Sequence, residues 1–163
     1  MNYKTDYIIE FPNLKYAKQE IYNYQNNHVN YKENIHFKSQ YKLDTAKECK
    51  YYDLTDKDCT AANSLIETVK SDDYKFTKVL AGGYMPPHVD PQRTGVLMIP
   101  LTDDPSPIVF YDDNDVTLSH TYKCPTMINA KIKHGVPEVE FDRIFLQINY
   151  FQPWEEIKEL GIH

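Results

Sequence analysis

Residues 85–101 read MPPHVDPQRTGVLMIPL, so that a histidine and an aspartate stand two positions apart just before a strongly apolar stretch. On a β-strand, residues i and i+2 point to the same face with their Cα atoms about 6.5–7 Å apart. His88 and Asp90 can therefore converge on one metal ion. A motif this short also occurs by chance, and an exposed His–Asp pair at the end of a strand fits it equally well.

The length and composition favour one ordinary globular domain over residues 1–163. The chain is 41% hydrophobic and 26% charged, which is typical of soluble proteins. We expect three parts: an N-terminal region over residues 1–73, a β-rich core over 74–151 and a C-terminal helix over 152–163.

Charge and cysteine content limit the partners and the compartment. The net charge of −6 argues against a nucleic-acid binder, because neutralising phosphates requires clustered lysine and arginine. The three cysteines show no CxxC spacing, which favours reduced thiols in a cytoplasmic protein. No signal-peptide pattern and no apolar run near the roughly 20 residues of a membrane helix is present, so we expect no membrane association.

The N-terminal region has a mixed pattern. Residues 7–11 predict a short strand, and apolar residues at helical spacing predict helices over 13–26 and 59–71. Weak strand signals lie at residues 36–41.

After residue 73 the pattern changes to short segments rich in β-branched and aromatic residues, separated by Gly, Pro, Asp and Asn. Strands at such intervals are typical of a sandwich or barrel. We therefore predict a mainly β fold with flanking helices, closed by a helix over 153–160 that Gly161 ends. The predicted strands are residues 74–81, 84–90, 95–101, 108–111, 116–122, 126–132 and 143–151.

A second histidine, His134, ends the strand-like run that begins at residue 126 and precedes a glycine. Two imidazoles and one carboxylate form the facial triad of non-haem iron oxygenases, which leaves coordination positions open for a chelating cosubstrate and O₂. A buried histidine of the core or of a turn is the alternative.

Arg143 opens the last predicted strand, whose other residues are almost all apolar. A guanidinium at the mouth of an apolar barrel can bind a carboxylate through two parallel hydrogen bonds. A surface ion pair with Asp142 or Glu140 is the alternative.

The order HxD, then His, then Arg resembles the Fe(II)/2-oxoglutarate-dependent oxygenases. The stretch from Gly82 to Asp90 is similar to the prolyl-hydroxylase pattern of glycine, an aromatic residue and Pro-His-x-Asp. The resemblance covers about residues 74–151 and implies a double-stranded β-helix, or jelly roll, as the core. The N-terminal half carries no motif of this kind.

The resemblance also implies roles for single residues. His88, Asp90 and His134 would be the catalytic iron ligands, and Arg143 would bind the distal carboxylate of 2-oxoglutarate. Tyr84 would be either a second cosubstrate contact or a packed aromatic side chain. The expected reaction uses Fe(II), 2-oxoglutarate and O₂ to hydroxylate a C–H bond of a prolyl or other amino-acid residue, in a small-molecule or peptide substrate.

Other features refine this hypothesis. The related halogenases have a small residue in place of Asp90, so its presence favours hydroxylation, and Asn149 occupies the position of a second arginine in the related nucleic-acid demethylases. Arg93 either meets an acidic group of the substrate or is a solvated loop residue. A cupin-like metal protein with non-oxidative chemistry and a metal-free β-sandwich binding module are the alternatives. The sequence does not determine the substrate or the oligomeric state.

Overall fold

The computed structural model of the protein describes residues 3–34, 48–103 and 106–163. The helices are α1 (Lys18–Asn26), α2 (Thr60–Thr68) and α3 (Trp154–Lys158), and a 3₁₀ turn covers Tyr3–Asp6. The strands are β1 (Ile8–Glu10), β2 (Lys32–Glu33), β3 (Tyr51–Leu54), β4 (Asp73–Val79), β5 (Met85–His88), β6 (Gly95–Pro100), β7 (Ile108–Asp112), β8 (Asp115–His120), β9 (Thr126–Asn129), β10 (His134–Val136) and β11 (Arg143–Tyr150).

The strands form two antiparallel sheets. The larger sheet has the order β1-β9-β6-β11-β4-β3-β2, and the smaller has the order β5-β10-β7-β8. From β4 to β11 the chain alternates between the two sheets, except that β7 and β8 form a hairpin within the smaller one. This is the pattern of a double-stranded β-helix. The fold class predicted from the sequence, a mainly β jelly roll with flanking helices, is confirmed.

Strand β11 shows how the larger sheet is buried on both faces. All eight of its residues are buried, and their side chains alternate between the two faces, as in any strand. One set packs against the helices: Ile144, Leu146, Ile148 and Tyr150. The other set faces the interior between the sheets: Arg143, Phe145, Gln147 and Asn149. Three of these four interior residues are polar, so this buried face carries the side chains from which a binding site can be built.

The helices cover the outer face of the larger sheet. Ile21 of α1 and Leu65 of α2 lie in the same buried cluster as Phe76 of β4. Trp154 and Ile157 of α3 join that cluster, so the short closing helix is fixed by its apolar face. No helix in the described ranges is long and apolar enough to cross a membrane.

The predicted helices exist, but the first one begins later than predicted. The chain leaves β1 through a turn in which the Leu14 N–H donates to the Phe11 carbonyl at 3.2 Å. Ala17 has φ −82° and ψ 73°, outside the helical region. Leu14 is nevertheless buried in the helix-side core, so its apolar signal came from a turn and not from a helix.

The prediction of one strand over 126–132 was wrong in its second half. β9 ends at Asn129, whose side-chain oxygen accepts the Lys131 N–H at 3.1 Å. This hydrogen bond builds a turn of the kind that asparagine favours. His134 consequently does not end that strand but opens β10 in the other sheet.

The N-terminal region contributes two strands that the sequence did not predict. β2 and β3 extend the larger sheet beyond β4, with Tyr51 opposite Val79 and Lys32 opposite Asp53. The strand signals noted at residues 36–41 lie outside the described residues.

Candidate metal centre

Neighbouring strands of the smaller sheet bring the two histidines together. His134 on β10 lies directly opposite His88 on β5, and their ring centroids are 4.4 Å apart. Gly135 permits this approach, because a Cβ atom at that position would lie 2.9 Å from the Met85 carbonyl oxygen and 3.0 Å from the Pro87 nitrogen. A side chain at position 135 would therefore push β10 away from β5.

Asp90 follows β5 and completes a group of three ligands. Its Oδ1 atom lies 3.2 Å from His88 Nε2 and 3.5 Å from His134 Nε2. All three ligand atoms lie within 4.8 Å of one another, and all three residues are buried. Adjacent ligands at about 2.1 Å from one ion are separated by roughly 3 Å in an octahedral site, so this spacing suits a single ion.

Hydrogen bonds on the far side of each ring fix which nitrogen faces the centre. Nδ1 of His88 lies 2.7 Å from the Pro86 carbonyl oxygen, and Nδ1 of His134 lies 2.7 Å from the Ile132 carbonyl oxygen. A carbonyl can only accept, so each Nδ1 carries a proton, and Nε2 is the nitrogen that each ring directs at the centre. Two imidazole nitrogens and a carboxylate oxygen therefore converge, which is an arrangement that a bound cation stabilises.

The ionisation of the group also suits a metal ion. Burial lowers the pKa of His88, which favours the neutral ring that can coordinate. Burial raises the pKa of Asp90, but the two imidazoles and the charge of Arg93 oppose this and hold it well below its usual range. Two imidazoles and one carboxylate form the donor set, which fits non-haem Fe(II).

Arg93 binds the other oxygen of the same carboxylate. Its Nε and Nη2 atoms lie 2.8 Å and 2.6 Å from Asp90 Oδ2. Oδ2 is therefore engaged, while Oδ1 remains directed at the histidines. Of the two interpretations from the sequence, the solvated loop residue is wrong, because Arg93 forms part of the metal centre's surroundings.

Two buried amides on the inner face of β11 hold Arg93 in place. Its Nη1 donates to Gln147 Oε1 at 2.7 Å and to Asn149 Oδ1 at 3.0 Å. Gln147 in turn donates to Thr77 Oγ1 at 3.1 Å, and Asn149 donates to Asp73 Oδ2 at 2.8 Å. The sequence analysis missed the role of Gln147; its signal is two amides at alternate positions in an otherwise apolar strand.

Arg143 lies inside the barrel and not on the surface. It is only 4% exposed, and its guanidinium carbon lies 4.7 Å from the Phe145 ring centroid and 5.4 Å from that of Tyr122. It lines the same internal cavity as His88 and His134. Burial raises the pKa of Tyr122 to about 12, against the opposing charge of Arg143, so this hydroxyl is a neutral donor. Two histidines of the ligand group and a cation suited to a carboxylate thus line one cavity.

The structure does not bring Tyr84 to this cavity. Tyr84 packs in a separate small cluster, where its N–H donates to the Cys49 carbonyl at 3.1 Å and its hydroxyl bonds to the Cys49 thiol. Two other tyrosines line the cavity: Tyr122, and Tyr51 on the unpredicted strand β3. Nothing in the local sequence marked Tyr51.

An open cleft of about 380 Å³ adjoins the ligand group. His88, Asp90 and Arg93 lie between this cleft and the internal cavity, since all three line the cleft and two of them line the cavity as well. The other residues along the cleft are Asn34, Tyr51, Asp53, Asp73, Lys75, Met85, Pro91, Gln92, Asn149 and Phe151.

Comparison with known proteins gives matches in structure only. No family model and no curated protein sequence matches this chain. A prolyl hydroxylase from Trichoplax adhaerens, in complex with a hypoxia-inducible-factor oxygen-degradation-domain peptide, is 13% identical with a TM-score of 0.64; the match covers 98% of this chain and 89% of that one.

Two bacterial structures are similar as well. A prolyl-4-hydroxylase from Pseudomonas putida is 10% identical with a TM-score of 0.57, and the match covers 89% of this chain and 92% of that one. A 2OG-Fe(II) oxygenase-family oxidoreductase from Burkholderia pseudomallei is 10% identical with a TM-score of 0.55, covering 92% and 88%. The chain therefore has the prolyl-hydroxylase-like fold of the 2-oxoglutarate- and Fe(II)-dependent oxygenases.

Proposed function

We propose that this protein is an Fe(II)- and 2-oxoglutarate-dependent dioxygenase that hydroxylates a C–H bond of an amino acid, either free or within a peptide. One observation carries the proposal. The ligand atoms of His88, Asp90 and His134 lie within 4.8 Å of one another, and both histidines line the internal cavity that Arg143 also lines. A metal site alone would not require the buried cation, and a binding module would require neither.

Each residue has a defined part in this reaction. His88, Asp90 and His134 hold Fe(II), and Arg143 binds the distal carboxylate of 2-oxoglutarate. Bound Fe(II) with 2-oxoglutarate supplies the O₂ chemistry, which couples decarboxylation of the cosubstrate to hydroxylation. The protein orients both groups and keeps water from the cavity through the apolar walls that Val96, Met98 and Ile128 provide.

The cleft and the cysteines bear on where the substrate would bind and where in the cell the protein would act. The open cleft beside the ligand group is the place where the primary substrate would bind. The Trichoplax enzyme, which shares the fold, was solved with a peptide, so a peptide is one candidate substrate class. All three cysteines are free, which fits the cytoplasmic location expected from the sequence.

An anaerobic titration tests the proposal. The metal-free protein is titrated with Fe(II) and then with 2-oxoglutarate, while the weak visible charge-transfer band of the chelate is followed. We expect a saturable band that is lost in His134→Ala and weakened in Arg143→Ala. His28→Ala is the matched control, because His28 contacts Tyr24 and Asp56 far from the ligand group.

The possible outcomes separate the candidate functions. Tight metal binding without a band would contradict the dioxygenase and favour the cupin-like alternative with non-oxidative chemistry. Failure of the protein to bind metal at all would favour the binding module.

A further inference from the structure

The inner face of the larger sheet changes from apolar to charged towards the open cleft. Along β4 the inward residues run from Val79 and Thr77 in the cavity to Lys75 and Asp73 in the cleft. On β3, Tyr51 is followed two residues later by Asp53, which also lines the cleft. Charges inside a β-barrel are costly to desolvate unless they have partners, so this wall requires an explanation.

Lys75 and Asp53 form a mostly buried ion pair in that wall. Their side chains are 19% and 17% exposed, and Lys75 Nζ lies 3.3 Å from Asp53 Oδ1. Asn34 donates to the other oxygen of Asp53 at 2.7 Å. Burial lowers the pKa of Lys75, and the charge of Asp53 opposes that change. The pair is therefore held in an environment where each charge is poorly hydrated.

Lys75 retains donor capacity towards the cleft. An ammonium group has three N–H donors, and the contact with Asp53 uses one. Arg93 is the other cation among the described residues of the cleft, and its guanidinium is occupied by Asp90, Gln147 and Asn149. Lys75 is thus the cation of this wall that can receive an anionic group from a ligand.

The same wall offers carboxylates for a cationic group. Asp53 and Asp73 both line the cleft, and Asp73 is anchored by Asn149 at 2.8 Å and by Lys57 at 2.9 Å. Arg93 is paired with Asp90, so the charges that remain along the cleft are those of Lys75, Asp53 and Asp73, which are of both signs. A cleft of about 380 Å³ that presents charges of both signs suits a small zwitterion.

We infer that the primary substrate is a free amino acid, whose carboxylate binds Lys75 and whose ammonium group faces Asp53 and Asp73. This inference rests on the proposed function and names its substrate class. An internal residue of a peptide has neither charge, so it would cover the wall without adding a charged partner for Lys75. The structure thus favours the free amino acid over the peptide.

The experiment uses the complex of the protein with Fe(II) and 2-oxoglutarate under anaerobic conditions. The free proteinogenic amino acids, their carboxamides and a capped prolyl peptide are added in turn, and binding is read from the perturbation of the visible band. We expect at least one free amino acid to bind, and its carboxamide to bind about tenfold or more weakly, because a charge-assisted hydrogen bond is lost.

Variants of Lys75 locate the interaction. Lys75→Met is expected to weaken amino-acid binding about tenfold or more while the affinity for 2-oxoglutarate is unchanged. Lys75→Arg should recover part of the lost affinity for the amino acid. Because Lys75→Met leaves Asp53 without its cation, Lys75→Met combined with Asp53→Asn provides a second test in which no unpaired charge threatens folding. Lys78→Met is the matched control, since Lys78 lies on the outer face of β4 over the Tyr31 ring.

Each contrary result overturns the inference. It is wrong if none of the free amino acids perturbs the band, if only the capped peptide does, or if Lys75→Met binds the amino acid as the wild type does. A failure of the proposed function would be seen earlier and separately, because the band with 2-oxoglutarate itself would not form.

Discussion

Asp90 has its two carboxylate oxygens in different environments. Oδ1 faces the two histidines, and Oδ2 is bound by Arg93 at 2.6 and 2.8 Å. Oδ1 is therefore the oxygen that Asp90 would offer to a metal ion, and Arg93 would orient the carboxylate from its other side.

The first prediction concerns Arg93. Arg93→Leu is expected to weaken Fe(II) binding about 10–100-fold, the usual cost of losing a partner behind a metal ligand. The dissociation constant is measured anaerobically in competition with a chelator, and Arg93→Lys should recover part of the loss. Gln92→Ala, a neighbouring change in the same cleft, is the control. Unchanged metal affinity in Arg93→Leu would show that Asp90 is oriented by its other contacts.

The second prediction concerns Arg143. Arg143→Ala removes a buried cation and is expected to weaken 2-oxoglutarate binding about 10–100-fold, because a desolvated charge-assisted pair is lost. Fe(II) affinity should stay within about twofold, since the guanidinium does not contact the ligand group. Both constants come from the same anaerobic titration. An unchanged affinity for 2-oxoglutarate would place the cosubstrate elsewhere.

The pairing of β5 with β10 is the element-scale feature on which the metal centre depends. His88 and His134 are 46 positions apart in the chain but opposite each other in the smaller sheet. The turn that Asn129 closes moves the chain from one sheet to the other before His134. The site therefore depends on this crossover of the chain between the two sheets as much as on the ligand residues themselves.

The third prediction tests this pairing. Gly135→Ala is expected to weaken metal binding and lower the free energy of unfolding by about 1–3 kcal/mol, because the added Cβ meets backbone atoms that cannot move aside. Urea unfolding and the metal titration measure the two effects. Gly95→Ala is the control, since its Cβ would meet the flexible end of the Ile157 side chain. Equal metal affinities in the two variants would contradict this account of Gly135.

At the scale of the whole molecule, the site joins the two sheets. His88 and His134 belong to the smaller sheet, whereas Arg143 and the amides that hold Arg93 belong to the larger one. Ligands that bridge these parts bind the folded chain and not the unfolded one. They must therefore raise its stability.

The fourth prediction follows from this linkage. Fe(II) at one hundred times its dissociation constant should add about 2.7 kcal/mol to the free energy of unfolding, and 2-oxoglutarate should add a further increment. Each kcal/mol should raise Tm by about 2–4 °C in a domain of this size. Anaerobic thermal unfolding followed by circular dichroism measures both steps. Arg143→Ala should keep the first increment and lose most of the second; loss of both would show that Arg143 supports the fold and not the cosubstrate.

Residue patterns in short segments of the sequence were sufficient to predict much of this fold. The β-branched and aromatic segments after residue 73 predicted seven of the core strands but not β10, and the apolar stripe over 59–71 predicted α2. The order of His88, Asp90, His134 and Arg143 along the chain pointed to one site, and the structure brings all four to a single region. These signals are local because side-chain alternation and helical spacing are properties of short segments.

Contacts between strands that are far apart in the sequence could not be predicted from these local patterns. The sequence gives no sign that Arg93 binds Gln147 and Asn149, because that contact depends on how a loop lies across β11. It pointed to Tyr84, whereas the tyrosines that line the cavity are Tyr51 and Tyr122. Tyr51 reaches the cavity because β3 pairs with β4. The sequence by itself thus determined the class of fold and the set of candidate ligands. Only the tertiary structure decided which sheet holds His134, which residues orient Asp90 and which charges line the cleft, because sheet register is fixed by packing between segments far apart in the chain.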